Sequence, residues 1–564
     1  PRLTEVGAWR VDRRDVPFHS RRNPKLGEAT PVGGFYTQED MKEMIAYAAE
    51  RQIEVIPEIE MPAHSNAALA SYPELACPVV KNFIGVLPGL GGTHANIIYC
   101  AGNDSVFAFL QDVIDEVVEL FPSRYIHLGG DEANKTNWEK CPLCQARMKK
   151  EHLTHEEDLQ GYFMKRMCEY VQSKGREVIG WDELTNSTIP DGTIILGWQG
   201  MGTAALKVEL GHPFIMTPAR IMYLIRYQGP QWFEPVTYFG NNTLRNVFDY
   251  EPVQEDWKPE YTSLLMGVQG SMWTEFCNKP EDVDYLLFPR LAAVAVLIAR
   301  ALFSNPDMLI LDEPCTGLDV YNSHIAVKGV GYSRSMYNIQ HTVTPVDGAL
   351  QVNLECIRPD VEIHYTLDNR EPSVKSPRYT QCLTVKNAQV LRCATFKDGK
   401  QMGKTLILPV IWNKATGKPV LGDNKNEIVM TNGIRGSLKQ TDYEWSSWEK
   451  SDHISFTIDL QKKEILNTLT LGCITNYGMA IHKPAVVKVE VSDDNRKFRE
   501  IGILNFTSEE IFREGNFIED LSLDMGGIQV RYIRITAEGP GACPEDHVRP
   551  GQESRVMFDE VMVE

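Results

Sequence analysis

No stretch of this 564-residue chain approaches the ~18 consecutive apolar residues of a membrane span, so no helical membrane crossing is expected. Positive charge is also in deficit. Lys and Arg number 57 against 76 Asp and Glu, a net charge of -19 with a pI near 5.3. Binding a phosphate backbone needs a basic face, so nucleic acid is not an expected partner and a neutral or cationic glycan suits the chain better. The chain opens on Pro1-Arg2-Leu3-Thr4 without a charged and then apolar leader, which leaves its compartment unread. The 12 cysteines form no regular framework, and Cys141-Pro-Leu-Cys144 is the one close pair. Such a lone pair reads as structural or as a local disulfide rather than as half of a zinc site, and no metal or other cofactor is expected.

What is present suffices for several cores: 43% of residues are hydrophobic and 9% aromatic, and the length allows roughly three or four domains. Residues 126–132 read Ile-His-Leu-Gly-Gly-Asp-Glu, an apolar strand running into two glycines and then two adjacent carboxyls, Asp131 and Glu132. Two ionised carboxylates side by side repel, so such a pair can hold one proton near neutral pH, as a general acid must. Gly129 and Gly130 allow close approach of another backbone or a ligand.

Apolar strands at 54–60, 125–129, 177–181, 193–198, 212–217 and 265–273 alternate with helical patterns such as 37–51 and 105–121. That order predicts an α/β fold of parallel βα units, and the carboxyl ends of strands are where a (β/α)8 TIM barrel builds its site. Past residue 330 short alternating strands take over. They predict a small β-sandwich at 340–411 and a further β domain at 413–564, after a catalytic region spanning 1–330.

His-Leu-Gly-Gly-Asp-Glu resembles the central motif of the family 20 glycoside hydrolases, the β-N-acetylhexosaminidases. In the family's order there follow Pro-Glu-Ile-Glu-Met-Pro-Ala-His-Ser (57–65), Gly-Trp-Asp-Glu (180–183), Gly-Trp-Gln-Gly (197–200) and Gln-Gly-Ser-Met-Trp-Thr-Glu (269–275). The resemblance covers roughly residues 1–295, and five ordered motifs are far more specific than any one of them. It implies an exo-acting enzyme that removes terminal β-linked GlcNAc or GalNAc through an oxazolinium intermediate. Glu132 would be the general acid and base, and Asp131 would orient the substrate's 2-acetamido group. By the same resemblance Tyr227 would hydrogen-bond the acetamide unless it is a core tyrosine, and His64 would bond the catalytic glutamate. Trp181, Trp198 and Trp273 would box the sugar, and Glu275 would accept from ring hydroxyls. At Ile225 the family commonly has an aspartate for the 6-hydroxyl. Its replacement beside Arg226 suggests tolerance of a 6-sulfate, unless Arg226 points to solvent.

The family's outer-hydroxyl arginine and the aspartate partner of the His64 equivalent lie on strands upstream of Pro1, so the barrel is expected to be incomplete. Residues 340–411 resemble the accessory module that follows many hexosaminidase barrels, and 413–564 resemble a discoidin or factor 5/8 C-type jelly roll. There Trp445, Trp448 and His482 are candidates either for stacking on sugars or for a core or rim role. Residues 296–319 resemble instead the Walker B strand of an ABC ATPase, with Asp312 and Glu313 in the magnesium and water positions. That chemistry needs a P-loop. The nearest candidate, Gly-Lys-Gln-Met-Gly-Lys-Thr at 399–405, is one residue short and downstream, so a turn is expected there and no ATP chemistry. The resemblance suggests a periplasmic, cell-surface or secreted protein. The rival reading is a glycan-binding protein with an incomplete barrel, acting through its C-terminal β domain.

Overall fold

The computed structural model describes all residues except 201–210, 254–256, 258, 303–332, 347, 423–426 and 449–453. The chain divides into two compact units. The first contains Pro1–Leu224, Asn246–Asn278 and the helix Arg290–Leu302; the second contains Ile225–Arg245, Lys279–Pro289 and the C-terminal β modules. Two segments expected within the catalytic region, 225–245 and 279–289, therefore group with the β modules.

Five parallel strands carry the first unit: Tyr125–His127, Glu177–Trp181, Ile194–Gly197, Phe214–Met216 and Leu265–Val268, hydrogen-bonded in that order. Parallel neighbours require a crossover, and the helix Glu156–Ser173 supplies the one between the first two strands. Its residues Leu159, Phe163, Met167 and Val171 recur at helical spacing and are buried. They join Phe107, Leu110 and Ile114 of the helix Asp104–Leu120, and Ile126 and Val178 of the sheet, in one core. Both predicted helix starts carry side-chain caps. Asn103 accepts from the Ser105 amide at 3.0 Å, and Thr37 and Asp40 form a capping box on Gln38–Ala49.

The expected strand at 54–60 is reduced to a single parallel bridge between Glu58 and His127. The Ile59 and His127 amides donate to His127 and Pro57 carbonyls at 2.9 Å, but Pro57 has no N–H with which to extend the ladder. Residues 296–302 finish the helix Arg290–Leu302, in which Ala293, Val294 and Leu297 are buried; 303–319 lie outside the described residues. Gly399, at φ 75°, turns the hairpin between Gln389–Lys397 and Lys400–Gln401, as expected for a turn. Among the described residues no helix is long and apolar enough to cross a membrane.

In the second unit, the sheet Gln340–Val346, Ala349–Glu355 and Leu383–Val385 shares a core with the sheet of Glu362–Thr366, Gln389–Lys397, Lys400–Gln401 and Leu406–Val410. Val343, Val352, Leu391 and Leu408 fill that core. A seven-stranded antiparallel sheet follows, dominated by the long strands Ile454–Asn476 and Asn516–Glu538. Here the stacking candidates turn inward. Trp445 is buried with its Nε1 donating to the Ser437 carbonyl at 2.8 Å, in space that a Cβ at Gly436 would fill. Trp448 packs on Phe456 and Phe558, and His482 is fully buried among Tyr477, Phe512 and His547. Trp445 and His482 are thereby enclosed, while Trp448 is half-buried against its two aromatic neighbours.

Asp559 is fully buried in this module and pairs with Arg435 at 2.7 Å, with the Gly436 amide also donating to it at 3.0 Å. The absence of a side chain at Gly472 makes room for the carboxyl. Removing the cation leaves a buried charge without its main partner, so Arg435→Met should destabilise the module by about 3 kcal/mol. Chemical denaturation followed by tryptophan fluorescence checks this, and Asp559→Asn in the same background should recover part of the loss.

Candidate active site

The strand Tyr125–His127 ends in a turn that only glycine can make. Gly129 and Gly130 have φ of 70° and 105°, and a Cβ on Gly129 would overlap the Glu60 carboxylate while one on Gly130 would press on Leu184. The turn delivers Asp131 and Glu132 beside His64, from the loop that follows the Glu58–His127 bridge. Glu132 and His64 are themselves left-handed, at φ 49° and 47°. Each such backbone costs on the order of 1 kcal/mol for a non-glycine residue, a strain that concentrates at functional sites.

His64 Nε2 stands 3.2 Å from Asp131 Oδ2 and 3.5 Å from Glu132 Oε2. The hydrogen bond to Asp131, then that to Glu132, pushes the imidazole up to about 11, so it is a cation between two carboxyls across the neutral range. Asp131 is mostly buried and its Oδ1 has no hydrogen-bond partner among the described residues, whereas the Glu132 side chain is 58% exposed. One carboxylate therefore offers a shielded acceptor and its neighbour faces the open side.

Glu60 completes the acidic group. Burial, then the charge of Asp131, pushes its carboxyl up to about 10, so it is neutral at ordinary pH. Trp181 Nε1 donates to its Oε1 at 3.3 Å. Asp182 is raised to about 8, by burial and then by Glu183, and accepts from the Gln199 amide at 3.3 Å. The Glu275 carboxyl is also raised, by desolvation, with the charge of Glu132 adding to the shift and that of His64 opposing it.

Aromatic rings wall the same region. Trp181 is buried edge-to-face on His127 at 5.0 Å and lies 6.0 Å from Trp273. Tyr223 stacks on Trp198 with ring centroids 6.1 Å apart and meets Trp273 at 6.0 Å; Trp198 Nε1 donates to Glu183 at 3.0 Å. The charges of Asp131 and Glu132 act on the Tyr223 hydroxyl, which burial holds above the ordinary phenol range. The structure thus brings together Asp131, Glu132, His64, Trp181, Trp198, Trp273 and Glu275, all in the first unit.

Tyr227 and Arg226 are not among them. Both belong to the second unit, where the buried Tyr227 hydroxyl accepts from the Thr237 amide at 3.4 Å and Lys439 Nζ lies 5.5 Å from its ring. Arg226 is only 9% exposed, packed against Gly240 and 6.0 Å from the Tyr238 ring, so it does not point to solvent. Sequence reasoning missed Tyr223 and Glu60. Glu60 lies within the 57–65 motif, and Tyr223 is held by a parallel bridge to Ser271 that no local pattern announces.

Comparison with known proteins bears on this arrangement. Residues 1–298 match the model of the glycosyl hydrolase family 20 catalytic domain, and residues 345–406 match the chitobiase/beta-hexosaminidase C-terminal domain. A beta-hexosaminidase of Porphyromonas gingivalis is 36% identical over 409 residues, covering 71% of this chain and 49% of that protein. One of Vibrio furnissii is 35% identical over 309 residues, covering 52% and 48%. The crystal structure of a beta-N-acetylhexosaminidase from Bacteroides fragilis aligns at 33% identity and a TM-score of 0.47, over 59% of this chain and 65% of that one. The chain spans about half the length of these two curated relatives. With the family's catalytic-domain model matched over residues 1–298 of 564, the chain belongs to glycosyl hydrolase family 20.

Proposed function

We propose that this chain carries the active site of an exo-acting β-N-acetylhexosaminidase, which cleaves terminal β-linked GlcNAc or GalNAc by substrate-assisted retaining hydrolysis. The observation that carries the reading is the buried, unpartnered Oδ1 of Asp131 beside an exposed Glu132, both tied to His64. An acceptor with nothing to accept suits the N–H of a 2-acetamido group. Held there, the acetamide's own carbonyl oxygen attacks the anomeric carbon, and Asp131 stabilises the oxazolinium cation that forms. Glu132 protonates the departing oxygen and then takes a proton from the incoming water.

The hydroxyl assigned to the acetamide carbonyl is that of Tyr223 in place of Tyr227, since Tyr223 lies against Trp198 and Trp273 under the influence of both carboxylates. Trp181, Trp198 and Trp273 offer indole faces to the apolar side of a pyranose. His64 is a positioning residue that holds both carboxyls. A (β/α)8 barrel, a jelly-roll fold for 413–564, a periplasmic, cell-surface or secreted setting and a lack of nucleotide chemistry at 296–319 are part of the same reading. The glycan-binding alternative is weakened because Trp445 and His482 are buried and Trp448, half-buried, packs against Phe456 and Phe558.

Two measurements test these roles. With aryl β-GlcNAc and β-GalNAc substrates, on this chain and on one extended upstream, Glu132→Gln should lower kcat by about 10²-fold or more when the leaving group is poor and far less when it is activated. Asp131→Asn should impair both substrates alike. Equal and small losses in the two variants would sink the assignment.

The second concerns pH. Glu60 has a folded pKa above its ordinary 4.5, so between 4.5 and about 10 the folded state binds more protons than the unfolded one, and stability falls as pH rises. His64, raised from 6.5 to about 11, contributes stability that is complete below 6.5 and is lost on rising toward 11. Both signs agree, so the melting temperature should decline on the alkaline side. Glu60→Gln, which mimics the neutral acid, should flatten that decline. Superimposable pH profiles for the variant and the parent would show that Glu60 is ionised in the fold.

A further inference from the structure

Four cysteines converge from three separate stretches of the sequence, Cys141 and Cys144 from the close pair and Cys77 and Cys100 singly. Cys77, Cys100, Cys141 and Cys144 are all buried, and one Sγ from each lies within 4.8 Å of all the others. Cys77 and Cys144 are 3.8 Å apart, Cys100 and Cys141 3.7 Å, and Cys100 and Cys144 3.7 Å. We propose that these four thiolates hold a structural zinc ion. Zinc–sulfur bonds of about 2.3 Å in a regular tetrahedron set sulfur–sulfur edges of about 3.8 Å, the spacing of the three contacts just given. A disulfide needs about 2.05 Å and joins sulfurs in exclusive pairs. Here Cys100 and Cys144 each have two equivalent neighbours, which is the connectivity of a shared centre.

The backbone is built around this convergence. The Cys100 amide donates to Leu75 O at 3.0 Å, the Tyr99 amide to Pro62 O at 3.1 Å, and Trp138 Nε1 to Tyr99 O at 2.9 Å. Gly102 passes so close to Leu143 and Cys144 that any side chain there would overlap their backbone. Cys141 and Cys144 open the helix Pro142–Lys150, with Cys141 at its N-cap. The cluster therefore ties three segments: the one that continues from the His64 loop, the one that ends before the helix Asp104–Leu120, and the one that follows Asp131 and Glu132. Four buried cysteines serving only as small apolar residues would need no such convergence of all four sulfurs within 4.8 Å.

The test uses the full chain, purified without a metal-affinity step. Elemental analysis should find about one zinc per chain, and these four thiols should resist Ellman's reagent in the native protein. A mercurial that caps thiols should release the metal, read with a zinc-binding dye. Cobalt in place of zinc should give thiolate-to-metal charge-transfer and tetrahedral d–d absorption. Cys141→Ser with Cys144→Ser should lose the equivalent of metal; because that variant is also at risk of misfolding, the wild-type metal and thiol counts decide. Absence of stoichiometric zinc with the four thiols reacting freely, iron in zinc's place, or a peptide map showing disulfides among these residues would each overturn the proposal.

Discussion

The site depends on one cation placed among carboxyls. Asp131, Glu132 and Glu60 act on one another and on His64 in a chain that already carries a net charge of -19, and no Lys or Arg is paired with them among the described contacts. His64 is what makes the arrangement tolerable, and it does so only because its backbone adopts a left-handed turn that brings Nε2 between two side chains on another loop. Glu60 meets the same constraint by remaining protonated. One group is charged by its neighbours and the other is neutralised by burial, so their environments push acid and base character apart.

Much of this was legible in the sequence. The Gly-Gly-Asp-Glu turn, the tryptophans at three strand ends and His64 were all named from motifs, because each motif is local and its geometry is fixed within a few residues. What was not legible was non-local. Tyr223 and Tyr227 are four residues apart, and composition cannot say which comes under the influence of the carboxylates. Tyr223 is fixed within the first unit by its parallel pairing with Ser271, after which the chain enters the second unit at Ile225. Glu60 was quoted and given no role, since a buried neutral acid and a solvated one are spelled the same way.

The fold shows the same division. Five parallel strands and two helices followed from periodicity, while the strand expected at 54–60 failed where Pro57 removes a donor from the ladder. In the second unit, of the tryptophans expected near loops Trp445 is buried and Trp448 is half-buried against the core, because a turn in sequence does not tell which side of a sheet its rings fold back upon. Gly436 supplies the space for Trp445, a reason visible only once the two are seen together.

The cysteines carry that lesson furthest. Spacing along the chain showed one close pair and argued against a metal, since a four-ligand site is normally recognised by two such pairs. The fold supplies the other two ligands singly, from Cys77 and Cys100, and it does so through the segments that frame His64, Asp131 and Glu132. A left-handed His64 and a left-handed Glu132 are strained and must be over-determined by their surroundings. Here the hydrogen bond from Tyr99 N to Pro62 O reaches the His64 loop, and that from Trp138 Nε1 to Tyr99 O reaches the segment after Glu132. A rigid centre at residue 100, one position from Tyr99, is placed to hold both strained loops at once. The precision of the carboxylates and the burial of the thiols are then two consequences of one piece of packing.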